Sequence, residues 1–397
     1  MSRQIYLDNS ATTPADPRVL KAMWPYFGQH FANASSLHEM GNQAGQAVSD
    51  ARRQVAEFLH CRPEEVYFTG GATESDNLAV LGLIKGLKIK FKPHLIISAI
   101  EHEAVLEPAK QLAKDGVAEL SILPVDGRGL VSLPELKKLI KSNTVLISVM
   151  LANNEIGAIQ PIAEIGKLIA TINQAGENKI YFHTDATQAP AYVGCDIGKL
   201  GVDLLSLSAH KIYGPKGVGA LYVKAGTPLK SLMLGGGQEK KLRSGTYNVP
   251  GIVGLGEAIR LISDAKTRAK EIKKITSLRD RLIAEILEKI PRAKLNGDRK
   301  NRLSNNANFV FPGVEGESVV LMLSQQGIMA STGSACSSGS LEPSHVLLAI
   351  GIPVEQAHGS LRLSLGRFSK QADIDAVAKK LPPIIAKLRA MSPLKNF

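Results

Sequence analysis

The chain has 397 residues, of which 44% are hydrophobic and 21% charged, and its formal net charge is +12. This length usually forms more than one hydrophobic core, and the composition is typical of globular rather than disordered proteins. The first residues, MSRQIYLDNSATTP, contain no apolar stretch, and no apolar run is long enough to cross a membrane. We therefore predict neither a signal peptide nor a membrane helix, and we expect a cytoplasmic protein.

The positive charge is spread along the chain, with its densest patches at 85–92 and 265–274. Neither patch interleaves basic with aromatic residues as RNA-binding modules do. We interpret the excess charge as a solvated surface and expect no direct binding of nucleic acid or membrane. The three cysteines, Cys61, Cys195 and Cys336, form no CxxC pair, which argues against a disulfide framework and a structural zinc site.

Seven β-rich apolar runs recur in the first part of the chain, and we predict a strand in each. Several are apolar throughout, which is typical of strands buried on both faces of a parallel sheet. The runs are 65–69, 94–100, 119–125, 144–151, 179–186, 202–209 and 219–223. The helices predicted between them are 73–88, 103–116, 132–143 and 162–176. Alternating strands and helices at this spacing predict a doubly wound α/β domain.

The character of the sequence changes after about residue 255. Residues 256–291 form a long amphipathic pattern, which predicts one helix that stops at Pro291. Shorter helices and strands follow, including a run at 359–366, GSLRLSLG, that we interpret as an exposed strand. This part of the chain predicts a smaller α+β domain.

Polar side chains stand just past several of the predicted strands. They are His102, Asn153, Asp185 and Lys211. Each alone is explained equally well as a cap or turn residue. In a parallel sheet, however, these strand ends meet at one edge, with Gly70 and Thr73 beside them, and their convergence predicts an active site there.

The stretch FTGGATESDN (68–77) leads a strand through two glycines into a helix start. Free N–H groups at such a turn favour an anion such as phosphate, although an ordinary strand-to-helix turn explains the stretch equally well. A lysine amine kept partly neutral by burial can form a Schiff base. Together with Asp185 and the phosphate turn, Lys211 therefore indicates a site for pyridoxal phosphate.

Cys336 lies in a segment of small residues, ASTGSACSSGSLEPS (330–344). Such a setting suits a movable nucleophile better than a packed structural cysteine, but an inert loop cysteine is an equal alternative. Arg362 follows on a predicted strand, where its guanidinium can bind a carboxylate at two points or form a surface ion pair. Cys61 and Cys195 are interpreted as structural.

Two enzyme classes are excluded by incomplete motifs. Ser208–Lys211 matches the SxxK motif of penicillin-recognising serine enzymes, but SDN (75–77) precedes it and KTG is missing. A zinc protease is excluded because EHEAV (101–105) is followed by Leu106 where HExxH requires histidine.

Ordered motifs along nearly the whole chain, from YLDNSATTP (6–14) to LRLSLGRF (361–368), resemble those of one enzyme family. Between them lie TGGATESDN, EHEAV, NNEIG, HTDATQ, SAHKIYGPKGVGAL, GGGQEKKLRSGT and GSACSSGSLEPS. On these motifs the chain resembles the pyridoxal-phosphate-dependent cysteine desulfurases of the IscS/NifS type, in the class V aminotransferase group. The resemblance implies fold type I of the pyridoxal-phosphate-dependent transferases. The large domain then spans 15–255 with a mostly parallel seven-stranded sheet, and the small α+β domain spans 1–14 and 256–397.

The resemblance also implies roles for individual residues. Lys211 would bind the cofactor as a Schiff base and move protons at the substrate's α-carbon, and Asp185 would face the ring nitrogen. The remaining cofactor contacts would be His102 stacked on the ring, Asn153 and Gln188 at the ring oxygen, and Ala72, Thr73, Ser208 and His210 at the phosphate. Thr246 would reach the phosphate from the neighbouring subunit of a homodimer. Arg362, with Asn33 and Asn153, would bind the substrate carboxylate.

The implied reaction converts L-cysteine to L-alanine and leaves its sulfur on Cys336 as a persulfide. The sulfur would pass to an iron–sulfur scaffold or another acceptor protein, for cluster assembly or tRNA thiolation. Cys336 is a candidate iron–sulfur ligand during transfer, and no resident metal site is predicted. Two alternatives stay open: a related selenocysteine lyase, cysteine sulfinate lyase or transaminase, and a basic RNA-binding or scaffold protein.

Overall fold

The computed structural model describes residues 4–176, 178–333 and 342–392. Its strands are β1 (Ile5–Tyr6), β2 (Val66–Thr69), β3 (His94–Ser98), β4 (Glu119–Leu123), β5 (Thr144–Ser148), β6 (Tyr181–Asp185), β7 (Leu204–Ser208), β8 (Gly219–Val223), β9 (Lys294–Leu295), β10 (Asn306–Val310), β11 (Ile328–Met329) and β12 (Ser360–Ser364). Its helices are α1 (Pro17–Met23), α2 (Pro25–Gly28), α3 (Glu39–Leu59), α4 (Ala72–Asn77), α5 (Leu83–Gly86), α6 (Glu103–Lys114), α7 (Leu133–Leu139), α8 (Ile162–Ala175), α9 (Ile197–Leu200), α10 (Val249–Ser263), α11 (Ala265–Lys289), α12 (Gly316–Gln325), α13 (His345–Ala349), α14 (Val354–Ala357) and α15 (Gln371–Met391). A π-helical turn at Leu78–Gly82 joins α4 to α5.

Strands β2 to β8 form one seven-stranded sheet in the order β2-β8-β7-β6-β5-β3-β4. Neighbouring strands are parallel except at β8, which is antiparallel to both β2 and β7. Each of the seven predicted apolar runs contains one of these strands. The predicted α/β fold with a mostly parallel seven-stranded sheet is therefore confirmed.

Helices cover both faces of this sheet, because its central strands are apolar on both sides. On one face α3 and α10 pack together, and Leu255 of α10 belongs to the same core as Phe182 and Leu205 of the sheet. On the other face Val105 of α6 packs with Leu95 of β3. Burial of this apolar surface is the main favourable term in folding. Among the described residues, no helix combines the length and the apolar character that a membrane span requires.

A second core lies in the C-terminal part of the chain. There β10 pairs antiparallel with β12 and with β9, while the N-terminal strand β1 pairs parallel with β11. The core beneath contains Phe309 and Leu363 of this sheet, Leu282 of α11 and Leu381 of α15. Leu7, just after β1, is buried in it too.

The prediction of one continuous helix over 256–291 is wrong, because the helical pattern is interrupted at Asp264. The backbone of Asp264 is extended (φ −68°, ψ 105°), and its carboxylate accepts a hydrogen bond from the Thr267 N–H at 2.7 Å. Asp264 therefore ends α10 and caps α11. The buried residues of α10 belong to the first core as far as Ile262, and those of α11 join the second from Ile275. The division at residue 255 stays a prediction.

The interpretation of 359–366 as an exposed strand is also wrong, since all five residues of β12 are buried. Leu361 and Leu363 pack in the second core. The alternating polar residues point to the opposite side, where Ser360 donates to the Thr332 carbonyl at 2.7 Å and Arg362 enters the cavity described below. The alternation of polar and apolar residues correctly predicted a strand with one polar and one apolar face. The polar face is covered by protein and not by water.

Candidate active site

A cavity of about 870 Å³ lies at the carboxyl ends of the parallel strands. Its wall is formed by residues that end or follow strands: Gly70 to Thr73 after β2, His102 after β3, Met150 after β5, Asp185 at the end of β6, and Ser208 and Lys211 at the end of β7. Arg362 and Gly333 line it from the C-terminal part of the chain. Ligands of open α/β sheets bind at this position. The structure therefore brings most of the predicted site residues together, while their roles stay predictions.

Lys211 is held at the cavity wall by the N-terminal segment of the chain. It ends a short 3₁₀ turn, Ala209–Lys211, that directly follows the fully buried strand β7. Its Nζ donates hydrogen bonds to the backbone oxygens of Ser10 at 2.6 Å and Ala11 at 2.7 Å. The arrangement fixes a primary amine, the group that forms Schiff bases with carbonyl compounds, inside the cavity.

Asp185 presents a buried carboxyl group at the floor of the cavity. Its Oδ1 accepts a hydrogen bond from the Thr187 N–H at 2.8 Å. Burial, and next the negative charge of Asp76, raise the pKa of Asp185 to about 6, because both disfavour the carboxylate. A positively charged ligand group placed against Asp185 reverses this effect, so the side chain is suited to bind a cation.

His102 and Gln188 line the same cavity, and each is oriented by a backbone group. His102 precedes α6 and caps it, since its Nδ1 accepts a hydrogen bond from the Ala104 N–H at 3.1 Å. Gln188 donates from Nε2 to the Ser10 carbonyl at 2.9 Å, beside the acceptors of Lys211. Both side chains therefore have fixed positions from which to contact a ligand.

The turn between β2 and α4 presents backbone N–H groups to the cavity. Gly71 has φ 149° and ψ 177°, a conformation open essentially to glycine alone. Ala72 and Thr73 follow as the first residues of α4 and line the cavity. Because the first N–H groups of a helix have no acceptor within the helix, both can donate to an anion.

His210 lies beside this turn and is a neutral imidazole near neutral pH. Burial, followed by the charges of Lys211 and Lys216, lowers the pKa of His210 to about 4. Its Nδ1 shares a hydrogen bond of 3.1 Å with the Thr12 hydroxyl. Ser208, at the end of β7, lines the cavity next to it. Both side chains offer uncharged hydrogen-bonding groups to an anionic ligand.

Arg362 is a buried guanidinium whose donors are only partly used. Its Nη2 lies 2.9 Å from Asp8 Oδ1, and its Nη1 donates to the backbone oxygens of Asn154 at 3.1 Å and Gly333 at 2.7 Å. Its Nε has no hydrogen-bond partner among the described residues. A buried N–H without an acceptor is costly, so this group is suited to receive a ligand carboxylate.

The structure places Asn154, and not the predicted Asn153, at the cavity wall, and the role of Asn153 at the cofactor stays a prediction. Asn153 is fully buried: its Oδ1 accepts hydrogen bonds from the N–H groups of Glu155 and Ile156, both at 2.9 Å, and its Nδ2 donates to the Ile100 carbonyl at 3.0 Å. With these contacts it stabilises the turn that carries Asn154 and Glu155. Asn154 lines the cavity instead, next to Arg362.

Replacing Asn153 with alanine is expected to lower the free energy of unfolding by about 3 kcal/mol, because three buried backbone groups lose their partner. Asn154→Ala is the matched control, with an expected change within about 0.5 kcal/mol, since its side chain faces the cavity. Urea unfolding of both variants measures the difference. Equal destabilisation of the two variants would contradict the stabilising role of the Asn153 side chain.

Three other predicted residues are not brought into the cavity by the described chain. Asn33 is exposed and uses its Oδ1 to accept a hydrogen bond from the Ser35 N–H at 2.9 Å; it does not line the cavity, and its contact with the substrate stays a prediction. Thr246 is exposed and lies outside the cavity of its own chain, so its contact with a neighbouring subunit stays a prediction. Cys336 lies outside the described residues.

The segment that carries Thr246 is fixed by a buried ion pair. Glu239 accepts hydrogen bonds from both terminal nitrogens of Arg52, at 2.9 and 2.6 Å, and from the Phe68 N–H at 2.9 Å. Glu239 and Lys240 adopt left-handed conformations, with φ of 45° and 54°, which bulky residues rarely adopt. The ion pair holds this strained turn in one position and thereby sets where Thr246 is exposed.

Carboxyl groups are the functional residues that the sequence analysis missed. Asp8, Asp76, Glu101 and Glu155 all lie at or beside the cavity. Burial raises the pKa of Glu101 to about 8, so this group is largely protonated near neutral pH. Glu101 directly precedes His102 and Glu155 follows Asn153 by two positions, so their closeness to predicted strand-end residues could have indicated them. Asp76, inside a helix, gave none.

Comparison with protein families shows one match across most of the chain. The family described as "Aminotransferase class-V" matches residues 5–377. A protein named "Cysteine desulfurase IscS" from Methanosarcina thermophila is 51% identical over 394 residues, which are 99% of this chain and 95% of that protein. A protein of the same name from Dictyoglomus turgidum is 49% identical over 396 residues, covering 100% and 98% of the two chains.

A solved structure titled "NIFS-LIKE PROTEIN" has the same architecture. It is 36% identical in sequence, and the two structures superpose with a TM-score of 0.89 over 97% of this chain and 100% of that one. At this level of similarity the two chains share their fold along nearly their whole length.

Proposed function

The chain belongs to the aminotransferase class V family and is a cysteine desulfurase, and we propose that it binds pyridoxal phosphate at Lys211 and transfers sulfur to Cys336. The observation that carries the proposal is the joint position of Lys211 and Asp185 in one cavity at the strand ends. An amine for the aldehyde and a buried carboxyl group for the ring nitrogen are the two groups that this cofactor requires.

The residues of the cavity fit pyridoxal phosphate in three respects. Asp185 is a buried carboxyl group at its floor, and it would face the positive charge of a protonated ring nitrogen. Ala72 and Thr73 offer N–H groups to a phosphate. Lys211, His102, Gln188, Ser208 and His210 line the space between. Lys211 would hold the aldehyde carbon, and the turn after β2 would hold the phosphate.

When bound, pyridoxal phosphate supplies an electron sink that stabilises negative charge at the α-carbon of an amino acid. The chain's own residues then bind the substrate and move its protons. Lys211 holds and transfers a proton at the α-carbon of L-cysteine. Arg362, with a free Nε donor and Asn154 beside it, binds and orients the substrate carboxylate.

Cys336 is the proposed sulfur acceptor. The C–S bond of L-cysteine breaks, and an S–S bond forms between the substrate sulfur and Cys336. The carbon skeleton gains hydrogen and leaves as L-alanine, while the sulfur of the pair is oxidised to a persulfide. Since the carbon is reduced as the sulfur is oxidised, the transfer needs no external oxidant.

We further propose that the enzyme is a homodimer that passes sulfur to acceptor proteins, including an iron–sulfur scaffold, with Cys336 as a transient iron–sulfur ligand. The large apolar side chains of Trp24, Phe27, Phe31 and Leu37 are exposed in the single chain. Apolar side chains exposed in this number are typical of an interface. Thr246, also exposed, is then available to the partner's phosphate. The cytoplasmic location stays a prediction.

Incubation of the purified, cofactor-loaded protein with L-cysteine and a thiol reductant is expected to give L-alanine and sulfide in equal amounts. Quantifying both products tests the proposal, and a loaded protein that makes neither would falsify it. Selenocysteine and cysteine sulfinate are assayed side by side. Faster turnover of either one, independent of Cys336, would favour a related lyase instead.

A further inference from the structure

Asp76 of α4 is a buried acid that the mechanism above does not use. It is 0% exposed, it lines the cavity, and neither of its carboxylate oxygens has a hydrogen-bond partner among the described residues. Burying an ionised carboxylate without hydrogen bonds is costly. A side chain in this condition at a cavity wall indicates that a group of opposite charge belongs there.

His183 is the basic side chain that approaches Asp76 within the described residues. Its Nε2 lies 3.5 Å from Asp76 Oδ1, within ion-pair distance but too far for a good hydrogen bond. The same imidazole is fixed by two hydroxyl groups, Ser148 at 2.8 Å from Nδ1 and Ser206 at 3.1 Å from Nε2. The imidazole of His183 is therefore fixed in place next to Asp76, but it does not supply the hydrogen bond that the Asp76 carboxyl group lacks.

Within the described residues, Asp76 and the carboxyl groups near it outnumber the basic groups around it. His183 and Asp185 face it from β6, Glu101 approaches from the segment after β3, and Lys211 lies in the same cavity. The charge of Asp76 raises the pKa of Asp185 and contributes to the raised pKa of Glu101. The carboxyl groups of Asp76 and Asp185 thus share a floor that attracts a cation, while Glu101 is largely protonated near neutral pH.

We propose that Asp76, which lies beside His183, is a positioning residue that keeps the ring nitrogen of bound pyridoxal phosphate protonated through a second negative charge behind Asp185. The inference rests on the proposed function, because it requires this cofactor in the cavity. Asp185 makes the direct contact, and Asp76 acts through it. A ring nitrogen that stays protonated keeps the electron sink at full strength.

Asp76→Asn tests the proposal, because asparagine has the same size and no charge. The cofactor-free protein is titrated with pyridoxal phosphate and with an analogue in which a C–H group replaces the ring nitrogen. We expect the variant to bind pyridoxal phosphate about tenfold more weakly. Loss of the Asp76 charge is expected to lower the pKa of the bound ring nitrogen by about one unit, and one pKa unit corresponds to a tenfold change in affinity. Binding of the analogue, which carries no ring proton, is expected to be unchanged.

NMR spectroscopy measures the protonation state of the ring nitrogen directly. The NMR chemical shift of an isotope-labelled ring nitrogen is followed against pH in the loaded wild type and the loaded variant. The nitrogen is expected to lose its proton at lower pH in Asp76→Asn. If that variant does not fold, Asp76→Ser removes the same charge with a smaller side chain and is measured in the same way.

Thr184→Val, in β6, is the control variant, because it also removes a buried polar group close to the cavity. Thr184 donates to the Val149 carbonyl at 2.7 Å, and it alternates with His183 and Asp185, so it lies on the opposite face of the strand. Equal weakening for cofactor and analogue, or no weakening for either, would overturn the proposal for Asp76. A wild-type protein that binds neither would instead remove the proposed function, and the inference with it.

Discussion

Replacing Lys211 with alanine is expected to lower turnover of L-cysteine by roughly a thousandfold or more, because the variant loses both the cofactor attachment and the proton carrier. Hydrogen bonds to the carbonyls of Ser10 and Ala11 fix the Nζ of Lys211 in the cavity. The visible absorption band of the lysine-bound cofactor is expected to disappear together with the activity. Absorption spectra and alanine production measure the two effects.

Two further variants show whether the loss of activity comes from the missing Schiff base, from the missing positive charge or from an effect on folding. Lys211→Arg keeps a cation and donors near Ser10 and Ala11 but cannot form a Schiff base, so it is expected to be as inactive as alanine. Lys224→Ala removes a lysine that follows β8 and pairs with Asp203 outside the cavity, and it is expected to keep full activity. An active Lys211→Arg would contradict the role of Lys211.

The sequence was sufficient to predict the sheet and one edge of the site, because both depend on a simple physical pattern. Continuous apolar runs are typical of strands buried on both faces, and all seven runs became strands of one sheet. The carboxyl ends of parallel strands meet at one edge, so the positions of His102, Asp185 and Lys211 followed from the order of strands alone.

Local choices between neighbouring residues could not be predicted in this way. Asn153 and Asn154 are chemically identical, and only the turn after β5 decides that one is buried in backbone hydrogen bonds while the other faces the cavity. Asp264 interrupts an amphipathic pattern that stays periodic on both sides of it. In each case the hydrogen bonds of a single side chain determine the outcome, and these depend on the folded backbone.

Tertiary contacts explain the other differences. The Ser-Leu-Arg-Leu-Ser alternation of β12 indicates one polar face, but whether water or protein covers that face depends on which distant parts of the chain pack against it. Asp76 in α4 is an ordinary polar residue of a helix until the fold places it against His183 and Asp185. A sequence pattern of charges does not contain these distances.

Replacing Cys336 with alanine is expected to abolish sulfide formation while leaving cofactor binding intact, because Cys336 is the proposed acceptor of sulfur and no contact to the cofactor is assigned to it. The visible absorption of the lysine-bound cofactor should persist, and alanine production should fall to background. Mass spectrometry should detect one added sulfur atom on the wild type after L-cysteine is supplied, and none on Cys336→Ala.

The other two cysteines provide the controls, and their environments explain why they cannot replace Cys336. Burial raises the pKa of Cys61 and of Cys195 to about 12, so neither thiol is appreciably ionised near neutral pH. Because the thiolate is the nucleophile, Cys61→Ala and Cys195→Ala are expected to keep the activity and the persulfide of the wild type. A protein persulfide on Cys336→Ala, or sulfide formation that depends on Cys61 or Cys195, would contradict the role of Cys336. The sulfur would then leave the substrate by another route, and it would pass from the cavity at Lys211 to another acceptor or to solvent.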